Sequence, residues 1–570
     1  MKRFLAITIV AVLLIALTGC ETTILPTEVE YPFYDEIGKI NNNLFYQNDL
    51  VLTAADPGCL YITEGEEAGY FYLYPTTDIM YTKGVMAWRS KNLNDWEPVG
   101  VVYQPEEGSW GYKNIWAPEV IYNKTDGKYY MYYNMTDESW KGGALAPKMC
   151  VAIADSPKGP FVQWTGTNAD GMVVDLKTPF ADIGDFLPDS GLWSVIDVHP
   201  FFDTNGDFYL YFNASRESED GSQISGSAIY GMKMKDMVTP DYSTVVQLTR
   251  AGSIVVDEYI PCNYEGSTTI NEAPFVLEHE GKYYLTYSMN GYTDPNYSVC
   301  QAVADSPLGP YTKVDGDVAN PILGREPYFD YVAGTGHHSF VQAGDELFIV
   351  YHAHLGRGTT SDTGRGIAFD RCSFMYDESL GYDVLYVNGP TYSPTPLPAS
   401  FSGYENVADK AKVTVSELVS GSASMINDNR VVYHEYDRDQ EAMFKGTAQI
   451  TLEFDSPETV TSVMVYNSIN ISSAFNKIDR IELYPAEKND LLNSVTTLPA
   501  ESLVLTMKDV AYDSTGIIAE LFVKPGVAAV AEFEPVSVYK IVIYISAHQE
   551  VYSTEPIGVS EVMVLGQVSK

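Results

Sequence analysis

Tyr129-Tyr130-Met131-Tyr132-Tyr133 follows the turn dipeptide Asp126-Gly127, and variants of this aromatic phrase recur four more times. The other copies are Tyr70-Phe71-Tyr72-Leu73-Tyr74, Phe208-Tyr209-Leu210-Tyr211-Phe212, Tyr283-Tyr284-Leu285-Thr286-Tyr287 and Leu347-Phe348-Ile349-Val350-Tyr351. Asn205-Gly206, Glu280-Gly281 and Gly344-Asp345 precede three of them, and such dipeptides supply the positive φ of a tight hairpin. Measured at Tyr72, Tyr130, Tyr209, Tyr284 and Phe348, the steps are 58, 79, 75 and 64 residues. A second phrase repeats as well, Cys150-Val-Ala-Ile-Ala-Asp-Ser-Pro-Lys-Gly-Pro160 and Cys300-Gln-Ala-Val-Ala-Asp-Ser-Pro-Leu-Gly-Pro310. Repeats of hairpin-built units at this spacing match four-stranded propeller blades with loop insertions. Five units predict an all-β chain with a five-bladed β-propeller over residues 48–398. A β-sandwich over the same stretch has no need of one hairpin phrase repeated in step.

The bulk composition agrees. At 570 residues the chain is long enough for two or three domains, and 45% hydrophobic with 19% charged residues excludes wholesale disorder. Tyrosine is abundant at 43 residues, which suits strands and aromatic-lined grooves. Against 76 Asp and Glu stand 35 Lys and Arg, a formal charge of −41. A surface of that sign repels phosphate backbones, so no nucleic acid is expected as a partner.

The residues that carry chemistry lie about ten to sixteen positions upstream of each aromatic phrase. There stand Ala55-Asp56-Pro57, Trp116-Ala117-Pro118-Glu119, Ile196-Asp197-Val198-His199-Pro200, Asn271-Glu272-Ala273-Pro274 and Gly336-His337-His338-Ser339. In a propeller the innermost strand of each blade lines the central channel, so these segments converge. Four of the five bring a carboxylate to a place where a hairpin core favours Val or Ile. Carboxylates that share a confined channel shift one another's pKa, and one can stay protonated. An acid for the leaving oxygen and a base for water is the division of labour that cleaves a glycosidic bond.

At these residues the chain resembles glycoside hydrolase family 43, a five-bladed propeller family. The resemblance runs over about 350 residues, from Asp56 to Gly389-Pro390-Thr391, and includes Ser90 to Gly100, SKNLNDWEPVG. It implies an inverting glycosidase with Asp56 as the general base, Glu272 as the general acid and Asp197 as the carboxylate that orients and tunes the acid. It implies arabinose- or xylose-containing glycans as substrates, with α-L-arabinofuranosides first and β-D-xylosides second. The chemistry requires no cofactor; His337 matches a channel histidine that holds a water or a structural calcium ion. Glu119 stands where the family usually has aspartate, and a second histidine, His338, follows the first.

Two further residues are open at this stage. Trp116 is either core packing or a sugar-stacking platform. Arg365, in Gly364-Arg365-Gly366, is either a clamp on sugar hydroxyls or carboxylates, or a surface ion pair. Specificity is expected in the loops at about 135–148, 165–192, 214–226 and 355–364. The rival to an enzyme is a catalytically inactive propeller that binds surface glycans, which has no need of a proton donor.

The two ends of the chain read differently. Lys2 and Arg3 precede an apolar run from Phe4 to Leu17, which ends in Leu17-Thr18-Gly19-Cys20. That is the pattern of a secretory signal, too short for a bilayer span. Its last four residues resemble the lipobox of bacterial lipoproteins, implying cleavage before Cys20, lipidation of its sulfur and an exported, lipid-anchored protein that touches the membrane by that anchor only. Residues 21–47 are then a tether. The remaining cysteines, Cys59, Cys150, Cys262, Cys300 and Cys372, are odd in number and read as buried thiols.

Beyond Pro394, Pro396 and Pro398, strands such as Ala448–Phe454 and Val538–Tyr544 alternate apolar and polar residues, which predicts a β-sandwich over 399–570. Asn406-Val-Ala and Val559-Ser-Glu-Val-Met-Val-Leu-Gly566 loosely resemble discoidin-like sandwiches, often carbohydrate-binding modules. All seven tryptophans lie between Trp88 and Trp193, so a spacer role and a binding role around Arg430, Tyr433, His434 and Tyr436 both stand.

Overall fold

The structure is a computed structural model that describes residues 41–48, 52–77, 83–109, 113–136, 148–187, 192–217, 224–251, 270–314, 320–325, 332–355, 364–391, 394–433, 440–470, 472–485, 509–512, 518–521, 526–547 and 556–568. The signal-like segment with Cys20, Cys262, His434 and Tyr436 lie outside the described residues.

Five antiparallel sheets follow one another, each with its strands paired in chain order. Their first strands are Ala55–Tyr61, Lys113–Asn123, Leu192–Phe202, Asn271–His279 and Val332–Ala343. Each first strand packs against the first strands of the sheets before and after it, and the fifth returns to the first. The result is a five-bladed β-propeller with these strands around its axis.

The aromatic phrases occupy the second strands, Phe71–Thr76, Lys128–Thr136, Phe208–Glu217, Lys282–Met289 and Glu346–Leu355. Successive side chains on a strand point to opposite faces, and here both faces are covered. Tyr72 and Tyr74 of blade 1 pack with Tyr129, Met131 and Tyr133 of blade 2. Phe71 and Leu73 turn the other way, onto Phe348 and Val350 of blade 5. Tyr130 and Tyr132 of blade 2 meet Phe208, Leu210 and Phe212 of blade 3, whose Tyr209 and Tyr211 meet Tyr283, Leu285 and Tyr287 of blade 4. A strand buried on both faces reads as a continuous apolar run rather than an alternation, which is why the phrase is so conspicuous.

The preference for tyrosine over phenylalanine has a local cause. A buried Tyr hydroxyl seeks a partner, and several reach the next blade. Tyr74 donates to Pro157 O at 2.8 Å, Tyr132 to Met237 O at 2.6 Å, Tyr211 to Pro307 O at 2.8 Å and Tyr284 to Asp383 O at 2.6 Å. Pro157 and Pro307 belong to the two copies of Ala-Asp-Ser-Pro, so the second repeated phrase is the receptor for the first.

Both ends of the propeller segment are fastened to blade 5. Asn48 Nδ2 donates to Phe369 O at 2.7 Å and its Oδ1 accepts from Phe369 N at 2.9 Å. Phe45–Tyr46 pairs with Thr395–Pro396, and both aromatic residues are buried. Leu44, Phe45 and Tyr46, which fall inside the span 21–47 expected as a tether, are buried and tied into the packed body.

The C-terminal part contributes an eight-stranded antiparallel sheet around one apolar core that includes Ile450, Val463, Ile541 and Val562. One of its two 20-residue strands, Ala448–Asn467, pairs with Ala411–Val415 over its first half and with Ile557–Gln567 over its second. It docks on blade 5, where Tyr386 donates to Val431 O at 2.7 Å and Val431 N donates to Asn388 Oδ1 at 3.0 Å. Arg430 lies 4.7 Å from the Tyr386 ring and Tyr433 is buried, so those two members of the expected binding patch are engaged at this junction.

Cys59 is half-buried, Cys150, Cys300 and Cys372 are buried, and there is no disulfide among the described residues.

Candidate active site

Each of the five first strands breaks its ladder with a β-bulge at the same place, between Ala55 and Gly58, Trp116 and Glu119, Ile196 and His199, Glu272 and Phe275, and Gly336 and Ser339. Bulges re-aim side chains and are common beside functional sites. The residue inside each has positive φ: Asp56 at 51°, Ala117 at 46°, Asp197 at 59°, Ala273 at 50° and His337 at 42°. Glycine tolerates that region freely, whereas other residues there cost roughly 1–2 kcal/mol. All five positions hold non-glycine residues, so the surroundings must enforce the conformation.

They do so through the amide of the bulge residue. Ala117 N donates to Thr76 Oγ1 at 2.8 Å, Asp197 N to Asn134 Oδ1 at 3.1 Å, His337 N to Ser288 Oγ at 2.9 Å and Asp56 N to His352 Nδ1 at 3.3 Å. Thr76, Asn134, Ser288 and His352 are the polar residues that close the aromatic phrase of the preceding blade. Blade 4 departs from the rule: Ala273 N donates to Asp197 Oδ2 at 3.0 Å. Asn213, which holds the corresponding place in blade 3, instead donates to Asn271 O and Ser227 Oγ. Asp197 is thereby fixed beside Glu272.

The bulges bring the expected residues to the channel. Arg365 Nη1 lies 3.1 Å from Asp56 Oδ1, and the Nδ1 atoms of His337 and His352 each lie 3.3 Å from the same oxygen. Arg365 thus meets a channel carboxylate rather than a surface partner. Tyr297 donates to Glu272 Oε1 at 2.7 Å, and its ring stacks on that of His352 at 5.5 Å. A side chain at Gly336 would collide with the Tyr297 ring, so only glycine leaves room for this contact. Trp116 is half-buried and precedes the blade 2 bulge by one residue, the place that Glu272 holds in blade 4.

Burial and charge separate the carboxylates. Burial pushes Asp56 up, but His337, Arg365 and His352 outweigh it and hold its carboxyl well below the usual range. His337 is itself held below its ordinary value by burial, and burial drives His352 to about 3, so the standing cation at Asp56 is Arg365. Glu272 is pushed up to about 7, by burial first, against the Tyr297 hydrogen bond and with the Asp56 charge adding to the rise. Asp197 is raised well above its ordinary value by burial and by Glu272 and Asp56. At neutral pH the site holds an ionised Asp56 opposite a Glu272–Asp197 pair that retains a proton.

The sequence matches the family model for glycosyl hydrolases family 43 over residues 51–380. The chain belongs to that family. This family-43 chain is 27% identical over 269 residues to a protein named beta-xylosidase from Xylanibacter ruminicola, covering 45% of this chain and 71% of that one. It is 28% identical over 325 residues to a xylosidase/arabinosidase 43A from Humicola insolens, covering 51% and 86%. A crystal structure of a thermostable family-43 glycoside hydrolase aligns with 32% sequence identity and a TM-score of 0.46, covering 62% of this chain and 99% of that one.

The family-43 departure at Glu119 has a structural partner. Glu119 Oε2 lies 2.8 Å from His199 Nδ1, tying the first strands of blades 2 and 3 together. His338, the second histidine, is buried with Nε2 2.6 Å from Thr286 Oγ1. Calcium takes about six to eight oxygen ligands. His337 offers a nitrogen, and around it stand a second imidazole, a guanidinium and the one carboxylate of Asp56. That donor set does not fit calcium. Among the described residues, the His, Asp and Glu group with ligand atoms within 4.8 Å of one another is His279, Glu280 and Asp383, at the far end of the Glu272 strand.

Sequence reasoning missed Tyr297, His352, Ser288 and Asn134. A readable signal existed for three of them, since Thr76, Asn134, Asn213, Ser288 and His352 all close the aromatic phrase with a polar side chain. Tyr297 carries no such mark. Of the loops expected to set specificity, residues 137–147, 188–191, 218–223 and 356–363 lie outside the described residues.

Proposed function

We propose that this hydrolase inverts the anomeric centre of pentosides in plant-type polysaccharides or their oligosaccharides, α-L-arabinofuranosides first and β-D-xylosides second. The observation that carries the reading is the placement of two carboxyls on separate blades, Asp56 against Arg365, His337 and His352, which hold it ionised, and Glu272 buried against Tyr297, which leaves it raised to about 7. Asp56 takes a proton from water as the water oxygen bonds to the anomeric carbon. The bond from that carbon to the leaving oxygen breaks, and Glu272 gives that oxygen its proton. Asp197 is a positioning residue, fixing the Glu272 backbone through Ala273 N. Arg365 keeps Asp56 ionised and oriented. The names of relatives, xylosidase and arabinosidase among them, support the sugar class.

The reading extends to the rest of the chain. Export and a lipid anchor at Cys20 rest on the Leu-Thr-Gly-Cys pattern, and a carbohydrate-facing role for the C-terminal sandwich rests on its discoidin-like motifs.

The test is hydrolysis of aryl pentosides and of arabino- and xylo-oligosaccharides by the protein lacking residues 1–20, beside Glu272→Gln. Turnover of one pentoside, abolished in Glu272→Gln, is the expected result. Glycan binding without turnover would replace the enzyme by a glycan-binding propeller.

A further inference from the structure

The segment from Asn290 to Tyr297 joins the second and third strands of blade 4, and it was not among the loops expected to matter. Hydrogen bonds within it and to blade 5 hold it in place. Asn290 Nδ2 donates to Asn296 O at 2.8 Å, Tyr297 N to Asp294 O at 2.9 Å, and Gly334 N of blade 5 to Pro295 O at 2.9 Å. His354, fully buried, sits with Nε2 3.0 Å from Tyr292 O.

The loop reaches both halves of the site. At one end the fully buried Tyr297 holds Glu272. At the other, the Tyr292 ring lies 4.8 Å from the guanidinium carbon of Arg365, whose Nη1 is 3.1 Å from Asp56. The loop therefore borders the site on both its Glu272 side and its Asp56 side. Tyr292 is 40% exposed although it contacts a group that is itself shielded. An aromatic ring with one part fixed by a cation and another open to solvent is a preorganised apolar surface for the C–H face of a sugar. Arg365 Nε, buried and with no hydrogen-bond partner among the described residues, adds a donor beside it.

We propose that Tyr292 is a specificity-determining residue, its ring forming a wall of the sugar-binding mouth beside Arg365 and Asp56. The inference rests on the hydrolase reading above and adds the residue that senses the sugar.

The experiment compares wild type, Tyr292→Ala and Tyr292→Phe on the pentosides of the panel, with glycan binding measured in parallel by calorimetry. Tyr292→Ala should raise KM about 10-fold or more, lower kcat less, and change the ratio of kcat/KM between arabinoside and xyloside several-fold. Tyr292→Phe should stay within about twofold of wild type, since the ring and not the hydroxyl makes the wall. A melting midpoint close to that of wild type separates this from damage to the fold. Unchanged KM and unchanged ratio in Tyr292→Ala would overturn the inference while leaving the hydrolase intact. An unchanged KM with a shifted acid limb would make Tyr292 a mere support for Arg365, and would overturn it too. A wild type that neither turns over nor binds any glycoside would overturn the parent reading and this one together.

Discussion

Asp197 Oδ2 accepts the Ala273 amide at 3.0 Å, so in blade 4 a carboxylate does what Thr76, Asn134, Ser288 and His352 do in the other four. The propeller's own repeat supplies the place, and the substitution of an acid at that place links fold to chemistry. One residue on from Glu272, the Ala273 bulge cannot shift without moving Glu272.

Two substitutions separate the bond from the charge. In Asp197→Asn an amide oxygen can still accept from Ala273 N, so stability should stay near wild type while kcat falls by about 10²–10⁴ through the lost carboxylate. Asp197→Ala loses the acceptor as well and should also lower stability by about 1–2 kcal/mol. Urea denaturation beside steady-state kinetics reads both. Equal stability of the two variants would show that the bulge does not need this bond.

The pH profile follows from the sign of each shift. In the proposed mechanism Asp56 must be ionised, and its carboxyl is held well below the usual carboxylate range, so the acid limb of kcat/KM should lie below the range of an ordinary carboxylate. Glu272 must be protonated and is pushed up to about 7, so activity should fall as pH rises through about 7. Tyr297 donates to Glu272 and favours its ionised form, so Tyr297→Phe should move the alkaline limb upward. A downward move would mean that Glu272 is not the group titrating there.

The tyrosine hydroxyls between blades make a claim about stability alone. Tyr74→Phe and Tyr132→Phe each take from a carbonyl, Pro157 O or Met237 O, the hydroxyl that donates to it while keeping the ring. Each should cost about 1–2 kcal/mol, and the two should add because they lie at different blade interfaces. Urea midpoints check the sum, and kcat should not move.

How much of this was legible depended on whether a residue's role repeats. Tyr72, Tyr130, Tyr209, Tyr284 and Phe348 could be read because every blade buries its second strand on both faces, which forces the same phrase five times. The channel motifs could be located because each stands about ten to sixteen residues before that phrase. The Glu119–His199 pair, the Tyr297 contact with Glu272 and the place of Tyr292 each occur once, between blades, and nothing periodic marks them. Burial of Leu44 to Tyr46 was hidden for a similar reason: a two-residue pairing with Thr395–Pro396, about 350 residues away, leaves no local pattern.

That distant pairing belongs to the closure of the ring, and closure turns on Asp370 in blade 5. Its carboxylate accepts from Tyr351 OH at 2.6 Å and Thr391 N at 3.2 Å, and Thr391 Oγ1 and Asn48 Nδ2 also reach it. Residues from the start, the last blade and the exit of the propeller thus share one fully buried acid, which burial pushes up to about 7. Because the folded value is raised, its favourable contribution is complete at low pH and is lost as pH rises towards and through 7. Asp370→Ala takes this acceptor from Tyr351 OH, Thr391 N and Thr391 Oγ1, while Asn48 Nδ2 keeps Phe369 O, and should cost about 3–5 kcal/mol, whereas Asp370→Asn keeps an acceptor and removes the titration. Stability of Asp370→Asn should therefore fall less between pH 5 and 8 than that of wild type. An Asp370→Asn curve parallel to that of wild type across this range would place the titration elsewhere and leave Asp370 as a hydrogen-bonding hub alone.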